Sequence, residues 1–277
     1  PTCGCGDRSV PRGNFMADLK HWEGESLSVW CAQWGVPVLE AHDELGSTND
    51  RLKKILGQGA DHFSVVIAES QSAGRGRQGE VWHSPPGSGL WMSVLLPASR
   101  PSVTSLPLIV GLAAARAVER VAPGIEAGIE WPNDVMVGGK KVAGVLCETA
   151  SGSSARSGEG VVAGIGINVR TPAGGFALDI VSRATSLETT VVAPVSRAAL
   201  AGAVLAELKR ASDPGGLTLS QEALVDLNCR DVLCGQRVHT EQEGNGIARG
   251  IVESGALLLE RDDGSRVGVV AGSVRLA

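Results

Sequence analysis

The sequence predicts an α+β protein in which a sheet with its helices is followed by a small C-terminal β-barrel. Three observations predict it. From Pro37 onward, short apolar runs alternate with stretches of helical periodicity. After Gly235 the helical period is lost, and short strands broken by Gly- and Asp-rich turns replace it. The composition, 43 % hydrophobic and 20 % charged over 277 residues, is that of a folded chain with a substantial core in one or two domains.

Residues 1–36 read as a weakly patterned N-terminal extension. Trp30 and Trp34 are four residues apart, on one helix face, and with Trp22 they are assigned to packing. Cys3-Gly4-Cys5 has no second Cys/His pair at metal-finger spacing and reads as a plain terminus. Residues 37–233 form the main domain. Val65–Ala68 and Leu90–Leu96, the latter ended by Pro97, read as buried strands. Ser105 can cap a helix with Pro107 in its first turn, and Leu106, Ile109, Val110, Ala113, Ala117 and Val121 form its stripe. Val135–Val137, Gly138-Gly139 and Val142–Leu146 read as a hairpin, joined to a strand at Gly160–Val169 by a polar loop over Ser151–Gly158. Ser196 caps a second helix with Leu200, Val204, Leu205 and Leu208 inward, stopped at Asp213–Gly216, and a short helix runs from Ser220 to about Cys229. The boundary falls near Cys234. Residues 234–277 form the barrel, with strands at 237–241, 247–252, 256–260 and 266–270.

A net charge of −5 disfavours general nucleic-acid binding, which needs a basic face. Six scattered cysteines point to a reducing compartment, hence the cytoplasm. The longest apolar run, Leu106–Ala115, is too short to span a membrane, and no signal-peptide core is found.

The most informative segment is Glu69–Trp82. Its Gly74-Arg75-Gly76-Arg77-Gln78-Gly79 has the Gly-x-Gly-x-x-Gly spacing of dinucleotide sites. Those sites need a helix opening at the last glycine, and Pro85-Pro86-Gly87 just beyond Trp82 precludes one. What the loop offers is two guanidiniums on a backbone that Gly74 and Gly76 let approach an anion closely. A second segment, Glu130-Trp131-Pro132-Asn133-Asp134 followed by Gly139-Lys140-Lys141-Val142-Ala143-Gly144, places an amide and a carboxylate at one strand start and Lys141 at the next. Asp134 can hold Mg2+ by oxygen ligation. Ser47-Thr48-Asn49 carries a helix-cap signal. Gly164 and Gly166, inside a strand ending at Asn168, mark a close approach. The histidines show no ligand spacing.

Together these segments resemble the biotin protein ligase family, from about Gly46 to Asn168 and more weakly to the C-terminus. The resemblance implies a mixed β-sheet flanked by helices, of the class II synthetase-like kind, and an SH3-like barrel. It implies that biotin is activated by ATP to biotinyl-5'-AMP and passed to a lysine of a biotin carboxyl carrier protein. It places Ser47, Thr48, Asn49 and Gln71 on biotin's polar head. Arg75 meets its carboxylate, with Gly74 and Gly76 in the closing loop, and Arg77 and Trp82 meet the nucleotide. Asn133 and Asp134 face phosphates and metal, Lys141 sits at the reacting groups, and Gly144, Gly166 and Asn168 line the pocket. Arg75 and Lys141 are the expected catalytic pair.

Residues 1–36 show no three-helix pattern, so no DNA binding is expected; a homodimer stays open. Glu80 and Glu130 stand where the family usually has basic residues, and Ser273 and Ala277 where it often has an acid and an arginine. At ~6 Å from a phosphate and an effective dielectric constant of ~20, each unit of charge carries roughly 3 kcal/mol before screening, and each reversal changes the charge by two units. Looser retention of the adenylate follows as an expectation. A lipoate or octanoyl transferase of the same broad fold, or a catalytically weak binder of biotin or its adenylate, are the alternatives.

Overall fold

The computed structural model describes residues 17–97, 105–151, 159–191, 193–213 and 216–277. In chain order the elements are β1 (His21–Trp22), β2 (Glu25–Ser26), α1 (Leu27–Trp34), β3 (Leu39–Leu45), α2 (Thr48–Gly57), β4 (Val65–Gln71), β5 (Gly89–Pro97), α3 (Ser105–Val121), β6 (Ala127–Glu130), β7 (Asp134–Val137), β8 (Lys140–Ser151) and β9 (Glu159–Asn168). Then come α4 (Arg197–Arg210), β10 (Ser212–Asp213), β11 (Gly216–Leu217), α5 (Gln221–Arg230), β12 (Arg237–Thr240), β13 (Gly244–Ile251), β14 (Leu257–Glu260), β15 (Arg266–Val269) and β16 (Val274–Leu276). Cys3, Cys5, most of the polar 151–158 loop and Pro214-Gly215 lie outside the described residues.

Seven strands pair in the order β3-β4-β5-β9-β8-β7-β6, with β3–β4 parallel and the other pairs antiparallel, so the sheet is mixed. The sheet's centre explains the apolar run at Leu90–Leu96. β5 lies between β4 and β9 and is covered on both faces, so its residues are buried without alternation. On one face α2 packs Leu52, Ile55 and Leu56 on Val66, Leu95 and Val162. On the other, α3 contacts the β6–β8 end while α1 and α4 cover β3 and β5. α3 is apolar nearly all round because α4 and α5 pack on the sides that the sheet leaves open.

Residues 17–36 join this core. Trp22 and Trp34 are buried, and Trp30 stacks on Trp34 at 5.2 Å. Arg197 at the start of α4 bonds both Glu23 and Glu69, and Glu69 also accepts the Trp22 indole N–H at 2.7 Å.

The C-terminal unit is a five-stranded antiparallel sheet, β15-β14-β13-β12-β16, curled by a bulge between Ala248 and Ile251. β15 and β16 are its unpaired edges, so its hydrogen-bonded ladder is not closed. Its buried Val238, Leu257, Leu259 and Val269 are continuous with the main core. The Trp131 indole donates to Gly255 O at 2.9 Å across the two units.

Candidate active site

The site grows from the N-terminus of α2, which lies against a stretch of sheet made of small residues. Ser47 occupies the N-cap position, but its side chain makes no cap hydrogen bond, contrary to the plain helix-cap reading of the sequence. The next residue turns inward instead: Thr48 donates its backbone N–H to Gln71 Oε1 at 2.9 Å, and its hydroxyl donates to the same oxygen at 3.1 Å. Gln71, at the end of β4, donates Nε2 to Ser84 Oγ at 2.8 Å. Asn49 donates Nδ2 to Glu148 at 2.7 Å.

Between Gln71 and Ser84 the Gly-Arg loop folds back on itself as a hairpin, with bridges Gln71–Ser84 and Arg75–Val81. Its turn is a three-residue 3-10 segment at Arg77–Gly79 with Gln78 and Gly79 at positive φ, so no helix opens there and the dinucleotide spacing is coincidental. Gly74 is required: a Cβ would stand 2.3 Å from Trp82 O. Arg75 forks onto Asp50 with two 2.7 Å bonds and lies 3.4 Å from Glu148. Arg77 reaches Asn133 Oδ1 at 3.4 Å, and burial pulls its pKa down.

The hairpin carries the Trp82 indole onto the sheet. A Cβ on Gly166 would lie 2.4 Å from Trp82 Nε1, and one on Gly144 3.0 Å from its ring. The close approach marked by the strand glycines is thus that of Trp82 at Gly166 and that of Asn49 at Gly164, where a Cβ would lie 2.5 Å from Asn49 Oδ1. Among the described residues the buried indole nitrogen has no hydrogen-bond partner. Lys141 Nζ lies 5.3 Å from the Trp82 ring and 2.6 Å from Asp134 Oδ2. Asp134 Oδ1 is buried and unpartnered, and burial raises the carboxyl's pKa against the pull of Lys141. Glu130 is likewise raised, first by burial and then by Asp134. Asn133 is fixed by donation to Val145 O at 3.0 Å.

Ser47, Thr48, Asn49, Gln71, Arg75, Gly76, Arg77, Trp82, Asn133, Lys141, Gly144 and Gly166 line one small pocket, together with Glu80. Gly74, Asp134 and Asn168 line the wide cleft that adjoins it, where Arg77, Trp82 and Lys141 also appear. Asn168 acts on the cleft wall, donating to Thr185 O at 3.0 Å. The sequence reading missed three contributors. Ser93 was hidden as one serine in an apolar run. Glu148 follows Gly144 and Leu146 at alternate positions, a period-two signal that could have found it. The third is the cleft wall between Pro172 and Ala184.

Comparison with known proteins gives the fold and the family. The model of the Biotin/lipoate A/B protein ligase family matches residues 43–168, and that of the biotin protein ligase C-terminal domain matches residues 233–276. The chain is 35 % identical over 244 residues to a biotin–[acetyl-CoA-carboxylase] ligase of Mycobacterium tuberculosis, covering 84 % of this chain and 86 % of that protein. It is 38 % identical over 160 residues to the bifunctional ligase/repressor BirA of Bacillus subtilis, covering 57 % of this chain and 48 % of that protein, about half its length. The fold matches that of the biotin protein ligase from Aquifex aeolicus in complex with biotin and ATP, with a TM-score of 0.70 at 28 % identity over 87 % of this chain and 99 % of that one. The mixed sheet with its C-terminal antiparallel unit, together with the match over residues 43–168, places the chain in the class of biotin/lipoate protein ligases. Within that class, the chain belongs to the biotin protein ligase family.

Proposed function

We propose that this chain joins the carboxylate of biotin to the α-phosphate of ATP, releasing pyrophosphate, and then transfers the biotinyl group to a lysine amine of a carrier domain, releasing AMP. The observation that carries the proposal is the small pocket with a polar head at Thr48, Asn49 and Gln71 and cations at its mouth, opening into a wide cleft. A two-anion condensation needs no enzyme nucleophile. It needs the anions held together against their repulsion and the developing charge met by fixed donors.

In this reading Ser47, Thr48, Asn49 and Gln71 take biotin's head. Arg75 exchanges Asp50 for the carboxylate, and Lys141 stands where carboxylate and α-phosphate meet. Arg77, Asn133 and Asn168 serve the nucleotide side. Mg2+ fits Asp134, whose buried Oδ1 has no protein partner. Among the described residues no cluster of three acids, histidines or cysteines forms a metal cage, so substrate phosphates would supply the remaining ligands. When bound, the ion neutralises phosphate charge. Incubation of the chain with ATP, Mg2+, biotin and a biotin carrier domain should add one biotinyl mass to the carrier. Pyrophosphate release should require both biotin and ATP. Transfer of lipoate in place of biotin, or binding without pyrophosphate release, would refute the proposal.

A further inference from the structure

The turn Trp131-Pro132-Asn133 joins β6 to β7 and leads straight into Asp134, the first residue of β7, so it carries two side chains of the cleft. Its ends are held together by the pairing of Glu130 with Asp134. Its tip is anchored on two sides. On one side Asn133 is tied to Val145 of β8: its Nδ2 donates to Val145 O, and its carbonyl accepts the Val145 N–H, both at 3.0 Å. On the other side the Trp131 ring is buried, and its indole N–H donates to Gly255 O at 2.9 Å. The first anchor belongs to the sheet. The second belongs to the C-terminal unit, 124 residues further along the chain.

The acceptor of that second anchor is itself fixed. Gly255 sits at a φ of 81° in the turn before β14, and its N–H donates to Val252 O at 2.8 Å. A Cβ on it would lie 2.7 Å from Ser105 Cα, so the turn is pressed against the start of α3. A buried N–H that loses its acceptor is costly, so the indole stays where the turn stays. The C-terminal unit has another joint to the main domain. Asn228 of α5 donates to Ile251 O at 2.9 Å and accepts from Ile251 N at 2.8 Å. Its remaining bond goes to Leu224 O within α5, so this joint does not lead into the β6–β7 turn. Trp131, by contrast, lies two residues from Asn133 and three from Asp134.

We infer that Trp131 is a positioning residue for the nucleotide side of the cleft: its indole N–H, seated on Gly255, sets where Asn133 and Asp134 stand, and through it the C-terminal unit tunes ATP binding. The inference rests on the reading of the cleft as an ATP site given above. A turn that loses one of its two anchors can tilt, and small displacements of groups that hold a substrate carry large costs.

The test compares the wild type, Trp131→Phe and Asn228→Ala in biotin-dependent ATP–pyrophosphate exchange, with calorimetric biotin affinity and melting temperature measured alongside. Trp131→Phe keeps an aromatic ring in place and removes the donor. It should raise KM for ATP by about tenfold and leave biotin affinity within about twofold. Asn228→Ala loosens the other joint, so it should lower the melting temperature and leave KM for ATP within about twofold. A KM for ATP that rises equally in both variants would mean that any loosening of the C-terminal unit suffices, and that result overturns the inference. So does a folded Trp131→Phe whose KM for ATP is that of the wild type, or one whose biotin affinity falls in parallel; exchange by the wild type then leaves the functional reading standing. Should Trp131→Phe fail to fold, Gly255→Ala, which displaces the acceptor and keeps the indole, is read by the same criteria. A wild type without biotin-dependent exchange overturns the functional reading and the inference with it.

Discussion

The two ends of the site differ in how far their own side chains satisfy one another. At the head of the small pocket, the end proposed for biotin, Asn49 pairs with Glu148 and Ser93, and Gln71 with Thr48 and Ser84. The network carries few charges and sits on the rigid junction of α2 with three strands. At the end proposed for the nucleotide two buried polar atoms, Trp82 Nε1 and Asp134 Oδ1, have no hydrogen-bond partner among the described residues, and two carboxyls are pushed above their ordinary range. A neutral head group can be recognised by a network finished in advance. A polyphosphate cannot, because cations fixed without counter-charge would repel one another and destabilise the fold. Lys141 on Asp134 and Arg75 on Asp50 show the compromise: each cation is held by a carboxylate that substrate can replace.

The largest effect should come from the nucleotide end. Lys141→Ala should lower kcat for biotin-dependent ATP–pyrophosphate exchange by ~10²–10³, as for loss of a single stabiliser of developing charge, with biotin affinity changed by less than about tenfold. Calorimetry beside the exchange assay checks both. A loss confined to biotin affinity would erase the distinction between the two ends. Next is the seam between them. Gly166→Ala puts a methyl within 2.4 Å of Trp82 Nε1, so the indole must leave its bed. The expected result is roughly tenfold weaker biotin binding, a shifted tryptophan emission and about 1–3 kcal/mol of lost stability by overpacking. Unchanged emission would show that Trp82 does not bridge the ends.

The same division governs what could be read from the sequence. Strands such as β4, β5, β8 and β9 were legible because burial imposes apolar runs, and the site loops because cations and glycines cluster in them. Ser93 was not legible, since a serine in an apolar strand has meaning only through Asn49, brought to it by the fold. β3 and β6 lack a clean period, and β16 is three residues long. The cleft wall at Arg183–Thr185 is zipped to Lys141 by backbone bonds of 2.7 and 2.9 Å, which side-chain patterns do not encode. Nor could the sequence pair Arg197 with Glu23 and Glu69, 174 and 128 residues away.

A smaller effect concerns Glu80. Near a phosphate each unit of charge is worth roughly 3 kcal/mol before screening at an effective dielectric constant of ~20. The structure places Glu80 at an exposed position of the hairpin, where solvent reduces this sharply. Glu80→Arg should slow dissociation of biotinyl-5'-AMP by about three- to tenfold and leave the affinity for biotin itself unchanged, checked by stopped-flow fluorescence at two salt concentrations. If biotin affinity moves as much as adenylate retention, the ends are not separable.

The smallest effect tests what keeps the biotin end rigid. Glu40, almost wholly buried on β3, accepts Arg51 of α2 at 2.6 and 2.8 Å and lies 3.1 Å from His42, which also meets Asp18 at 2.8 Å. Burial opposes charge on His42, but Glu40 and Asp18 outweigh it and raise its pKa. A raised histidine stabilises the fold fully below its unfolded value near 6.5, and that contribution is lost as pH climbs through the folded value. Glu40, which burial would raise, is instead lowered by His42 and Arg51, so its share is lost only as pH falls through its depressed value. The melting-temperature advantage of the wild type over His42→Gln should therefore be larger at pH 6 than at pH 9. The difference should be about 2–4 °C if the charged pair is worth about 1 kcal/mol. Because Arg51 ties the same network to the helix that carries Thr48 and Asn49, the variant should also bind biotin slightly more weakly at pH 6, while ATP affinity stays constant. An advantage that grows toward pH 9 would mean that His42 is neutral in the fold and that α2 is held by packing alone.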